Sequence, residues 1–201
     1  MLIQPPVSAL SALKSKAFLT SITLTGAKTL LADVLTQTAI EGAAPSEIDT
    51  KRAGAFAAYG LLYLGAVQFV LFTIIFPRLF PYAKPFSVGG MKGNIDRRGI
   101  IEVAKQVGID QGLHWPFIAI PAFHLFKGFS EGMSARQSIR RMRGVWKQDV
   151  VACWAVWVPA GFVNFSFVPV DLRVAFTAVV SFGYTMFVSL RRGGQGNNRC
   201  S

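Results

Sequence analysis

The chain has 201 residues, enough for one domain or one helical bundle. Hydrophobic residues make up 52% and charged ones only 15%, against roughly 25% charged in soluble domains, so an integral membrane protein is expected and a soluble one excluded. Twenty-one basic residues against ten acidic ones give a net charge of +11; on a surface that mostly meets lipid, this excess points first to anionic headgroups, with a vestibule for small anions as the alternative, and away from nucleic acid.

Residues 1–16 form an N-terminal segment with Lys14 and Lys16 and many hydroxyl residues, and the first acidic residue is Asp33. That pattern is compatible with mitochondrial import, and no compact apolar run with a cleavage site marks a secretory signal. The first apolar window, Ala17–Ile40, is interrupted by Lys28 and Asp33. Asp33 and Gln37 are four residues apart and share one helical face. A bare carboxylate in hydrocarbon costs several kcal/mol, so Asp33 must pair with a cation or face water. Lys28 and Arg173 are the candidate partners. Asp33 then either pins the bundle as half of a buried pair or lines and gates a pore.

Glu41–Thr50, with Pro45 and Ser46, should end this helix and start the next, whose apolar window is Ala53–Phe76. Pro77, Pro81, Pro85 and the Gly89-Gly90 pair interrupt any long helix over Pro77–Arg98. Ile100–Val107 predicts a short interfacial helix leading into Asp110-Gln111, and Asp110 is well placed to cap the window Gly112–Phe126. In Met133–Lys147, Ser134 is a plausible N-cap. Arg136, Arg140 and Arg143 fall at helical spacing beside Arg141 and Lys147, with Ile139, Met142 and Val145 elsewhere on the turn. This cationic face is expected to contact headgroups or an acidic partner subunit.

Val150–Val170 carries no charge, and as a helix it would span roughly 30 Å, the thickness of a bilayer core. Within it Pro159 should kink the helix, with Trp157 and Pro169 shaping its packing, and Asn164 holds an amide that lipid cannot satisfy. Asn164 either bonds a neighbouring helix or lines a polar path. Asp33, Gln37, Asn164 and Arg173 are all expected to point inward. Trp115, Trp146, Trp154 and Trp157 read as interface anchors and packing. A last window, Val174–Leu190, precedes a basic polar tail, residues 191–201. The expected fold is all-α: one integral membrane bundle over residues 17–190, with four to five transmembrane helices and no strands.

Catalytic chemistry finds little support. His114 and His124, the only histidines, would lie about 15 Å apart on one helix and cannot share a metal. No carboxylate pair, nucleophile with a base, or phosphate loop is evident. Cys153 and Cys200 suggest no disulfide framework. No enzyme, cofactor or metal site is expected.

One constellation is more specific. Trp157, Asn164-Phe165, Val168-Pro169 and Arg173 resemble the C-terminal signature of the Mpv-seventeen / 22-kDa peroxisomal membrane protein family, W-P-x-x-Q-x-x-N-F-x-x-V-P-x-x-x-R. Here proline is displaced to Pro159, Gly161 stands in the glutamine place, and Tyr184-Thr185 replace a tryptophan-asparagine pair. Val188-Ser189 take the leucine-serine place. Ala32-Asp33…Gln37 is similar to the family's G-D-x-x-x-Q element, Asp49…Arg52 to its D-x-x-R, and Asp110-Gln111…Pro116 to its D-Q-x-x-x-x-P. Tyr59-Gly60…Gln68 matches a further element poorly. The resemblance implies a divergent member with a channel-like or solute-homeostasis role. It implies the mitochondrial inner membrane first, with the peroxisomal or plastid membrane as alternatives. A structural or accessory subunit of a larger organellar membrane complex, packed against other subunits, is the alternative function.

Overall fold

The computed structural model describes residues 11, 13–81, 97–166 and 173–193. Those residues form helices and turns, with no strand among them. Helix α1 covers Lys16–Ile40. Ser15 caps it by accepting the Phe18 N–H on its hydroxyl at 3.1 Å. The chain leaves it at Gly42, whose φ of 74° favours glycine. A turn at Pro45–Glu47 follows, and Asp49 Oδ1 then accepts the Arg52 N–H at 2.9 Å to start the next helix. The break expected over Glu41–Thr50 is therefore present.

Helix α2 runs over residues 50–79, widening into π-type turns at Tyr59–Val67 and Leu71–Ile75 and passing Pro77. Helix α3 runs over residues 97–130 without a break. Its middle, Asp110–Ala119, is also wide-turned: the Ile120 N–H bonds the Trp115 carbonyl, five residues back. Pro116 has no N–H to give, and the wider turn accommodates it. Asp110 is therefore not a helix cap. The interfacial helix expected over Ile100–Val107 exists as Arg97–Ile109, but it continues into the apolar segment and leaves Asp110 mid-helix. Helix α4, Ala135–Arg143, starts at Ser134 as expected, and Gln137 returns a bond to the Ser134 N–H at 2.8 Å. Helices α5, Trp146–Ser166, and α6, Arg173–Gly193, complete the bundle; α5 stays helical on both sides of Pro159. Pro169 lies outside the described residues.

The five long helices alternate in direction and close a ring in the order α1, α2, α3, α5, α6 and back to α1. α1 and α2 approach most closely, at glycines. A Cβ on Gly65 would lie 2.6 Å from Ile22 Cα, and one on Gly60 would strike the Thr29 hydroxyl. Such small residues are what lets membrane helices meet backbone to backbone. Between α2 and α3 the contact is aromatic: Phe56 and Tyr59 meet Phe123 edge-on at 5.3 and 5.4 Å. Short α4 lays Met142 against Ile120 and Val150.

The surface is that of a membrane protein. Leu19 is 61% exposed, Phe117 60% and Val151 62%, whereas Asp33, Thr36 and Ser189 are fully buried. A soluble protein would reverse that arrangement. Two of the helices, Lys16–Ile40 and Thr50–Ile75, are long and apolar enough to cross a bilayer by length and composition alone.

Candidate functional site

At one end of the ring, where α4 also sits, three helices, α1, α2 and α6, meet on the Asp33 carboxylate. Arg52 Nε donates to Oδ1 at 2.8 Å, the Ser189 hydroxyl donates to the same oxygen at 2.5 Å, and Gln37 Nε2 donates to Oδ2 at 2.8 Å. The other guanidinium nitrogens reach Glu41 at 2.8 and 2.9 Å and the Ser189 hydroxyl at 2.8 Å. Gln37 Oε1 also accepts the Asp49 N–H at 2.7 Å, which ties α1 to the loop before α2. Both carboxylate oxygens of Asp33 and all three guanidinium nitrogens of Arg52 have partners, the condition for keeping charge inside a bundle. Asp33 and Gln37 point inward as expected. Among the described residues the cation paired with Asp33 is Arg52 and not Lys28, and the Arg173 side chain lies outside them: the turn between α1 and α2 brings the first turn of α2 back beside the last turns of α1.

Inside the ring lies a cavity of about 1030 Å³, with walls from α1, α2, α3, α5 and α6. Aromatic and aliphatic side chains dominate it, among them Phe56, Leu64, Phe72, Trp115, Ile120 and Phe123. Lys28, Gln68, Asp110, Gln111 and Asp149 supply polar groups. Asp110 is held by His114, whose Nδ1 donates to Oδ1 at 2.8 Å; the His114 Nε2 is then left to accept from the Tyr63 hydroxyl at 2.9 Å. Gln111 donates to Asp110 Oδ2 at 2.9 Å, and its carbonyl accepts the Trp154 indole N–H at 2.9 Å. His124 Nε2 lies 2.8 Å from Asp149 Oδ2. Lys28 differs from these groups. Its ammonium donates to the Ser181 hydroxyl at 2.5 Å, and no carboxylate stands within ion-pair reach of it among the described residues. Trp157 also lines the cavity, with its indole N–H buried and without a partner among the described residues.

Asp33 and Gln37 sit behind the cavity wall rather than in it, one turn beyond Thr29, whereas Asp110 and Gln111 line it. The side chains of Asn164 and Arg173 fall outside what the structure describes. Trp154 and Trp146 bind backbone carbonyls of α3, at Gln111 and at Pro116 (2.7 Å), so both pin α5 to α3. Arg136, Arg140, Arg143 and Lys147 are exposed, while Arg141 pairs with Glu131, which also holds the buried Lys127. Sequence reasoning missed Arg52, Ser189, Tyr63 and the His114–Asp110 pair as partners. The signal for Arg52 was its spacing after the capping Asp49, a charge at the edge of an apolar window.

Comparison with known proteins places this geometry. Residues 128–189, from the end of α3 through α6, match the model of the Mpv17 / PMP22 family. Protein SYM1 of Gibberella zeae is 25% identical over 179 residues, 89% of this chain and 92% of that protein. Protein sym-1 of Neurospora crassa is 26% identical over 182 residues, 90% and 95% of the two chains. Peroxisomal membrane protein 2 of Bos taurus is 27% identical over 137 residues, 67% of this chain and 61% of that protein.

These matches support membership of the Mpv17 / PMP22 family, and the chain is an organellar membrane protein. No solved structure matches it. The Mpv17 / PMP22 resemblances noted in separate parts of the sequence converge in space. Asp33 and Gln37, Asp49 and Arg52, and Ser189 come from three of those elements and meet in the single network at the α4 end.

Proposed function

We propose that this protein forms a channel-like path for small solutes across an organellar membrane, the mitochondrial inner membrane in the first instance, with its five long helices as the spans. The observation that carries this reading is the cavity walled by all five long helices and lined in part by Lys28, Gln68, Asp110 and Gln111. Intramembrane polar groups are costly, and around a cavity they mark a wet path. At the α4 end, the Asp33–Arg52–Glu41–Ser189 network lies one turn beyond the cavity residues Thr29, Phe56 and Thr185 and acts as the gate. Purified protein in planar bilayers should conduct potassium chloride, and proteoliposomes should release small organic acids. Arg52→Gln should raise the open fraction. A parent protein that passes neither ion nor solute in either assay sinks the reading.

One feature favours the accessory-subunit reading alongside it. Arg136, Arg140 and Arg143 on α4 and Lys147 at the start of α5 are exposed, with no acidic partner among the described residues. Clustered like charges repel unless anions stand nearby. Anionic headgroups supply them for a free-standing channel, and an acidic subunit supplies them in a complex. The name of the bovine relative supports the peroxisomal membrane as the alternative location.

A further inference from the structure

Lys28 stands at the midpoint of α1, twelve residues from either end of Lys16–Ile40, and thus about 18 Å from each. A cation at that depth is expensive unless something anionic meets it. The carboxylates that line the same cavity are already engaged: Asp110 by His114 and Gln111, Asp149 by His124. Among the described residues Lys28 has only the Ser181 hydroxyl. A cation and a hydroxyl therefore meet in one part of the cavity, and both can bind an acceptor that carries a single negative charge.

The remainder of the cavity is shaped for something apolar and long. Its wall on α2 runs from Phe56 to Phe72 and on α3 from Asp110 to Phe123, about 24 and 20 Å at the helical rise. Side chains such as Phe56, Leu64, Phe72 and Phe123 make up that length. Small hydrophilic solutes gain nothing from such a wall. An extended acyl chain gains its whole transfer free energy.

We infer that the cavity is a binding site for a long-chain monocarboxylate, with the carboxylate on Lys28 and Ser181 and the acyl chain along the apolar wall. The site shares its cavity with the proposed channel and rests on that reading: an occupant of this length fills the path and closes it. Asp110 and Asp149 on the same lining disfavour a second carboxylate, and the other lining cation, Arg191, lies over the Phe187 ring at 5.6 Å. A bilayer phospholipid fits less well, because its phosphate would have to sit at the depth of Lys28.

The test uses the full chain in nanodiscs of phosphatidylcholine, with dibrominated stearate as probe. Bromine quenches tryptophan at contact, and Trp115 and Trp157 line the cavity. Quenching should saturate and be reversed by oleate, while oleate methyl ester should need at least tenfold more. Lys28→Met should raise the half-saturating concentration at least tenfold, and Lys28→Arg should stay within about threefold of the parent. The ester comparison uses the parent alone, so it decides even if Lys28→Met fails to fold. Quenching that is linear and undisplaced, or equal displacement by acid and ester, overturns the proposal. Quenching by brominated phosphatidylcholine that oleate cannot relieve overturns it in favour of a bilayer lipid. Solute release is read in parallel. Release without saturable oleate binding removes the site and leaves the channel; binding without release removes the channel and leaves the site. Oleate should block release in the parent and fail to block it in Lys28→Met.

Discussion

Arg52→Met tests the largest single electrostatic commitment in this fold. The guanidinium makes five hydrogen bonds: one to Asp33, two to Glu41, and two to Ser189 through its carbonyl and hydroxyl. Arg52 is 6% exposed and Asp33 0%. Methionine keeps much of the side-chain volume and removes the charge, so Asp33 is left buried with only Gln37 and Ser189. Stranding one partner of a buried pair costs about 3–5 kcal/mol. Asp33→Asn alone strands less, because Arg52 keeps Glu41, which is partly exposed. In the double variant the uncompensated carboxylate is gone, so it should recover about 2 kcal/mol or more relative to the sum of the singles. Unfolding in mixed micelles, driven by an anionic detergent and followed by helical circular dichroism, gives the four free energies. An Arg52→Met protein within about 1 kcal/mol of the parent, or a double variant that matches the sum of the singles, would refute the claim that this pair holds α1, α2 and α6 together.

Further expectations follow from other contacts. Gly60→Ala should destabilise by about 1–3 kcal/mol because its Cβ meets Thr29 and lies 2.8 Å from the Thr25 carbonyl. Gly54→Ala, with nothing within 4 Å, should be neutral or stabilise by up to about 1 kcal/mol; the same unfolding titration ranks the two. Tyr63→Phe removes the hydroxyl that reaches His114 and should cost about 1 kcal/mol, with aromatic packing kept; no loss would mean that His114 is satisfied by Asp110 alone. Replacing Arg136, Arg140 and Arg143 with glutamine should weaken retention on anionic vesicles and flatten its salt dependence, measured by flotation at rising salt. If α4 instead docks on another subunit, protease should spare residues 131–147 in native membranes and cut them after extraction.

The sequence by itself determined the helical class, the positions of most helix ends and the membrane environment, because these depend on local quantities. A shortage of charge, long apolar windows, and caps such as Ser134 and the Glu41–Thr50 break act within a few residues of where they are written. Asp33 was legible as a group needing a partner for the same reason: a carboxylate in an apolar window states its own cost. The identity of the partner was not legible. Lys28 and Arg52 are both cations near Asp33 in the chain, and only the packing of α1 on α2 turns Arg52 toward it and Lys28 toward Ser181. Asp110 read as a cap because helix-start statistics are local, whereas continuation of α3 through Pro116 in widened turns is settled by its contacts with α2 and α5. The cavity is further still from the sequence. Its lining comes from five helices, and whether Gln68 or Gln111 faces it depends on helix rotation, which side-chain packing between helices decides and composition does not.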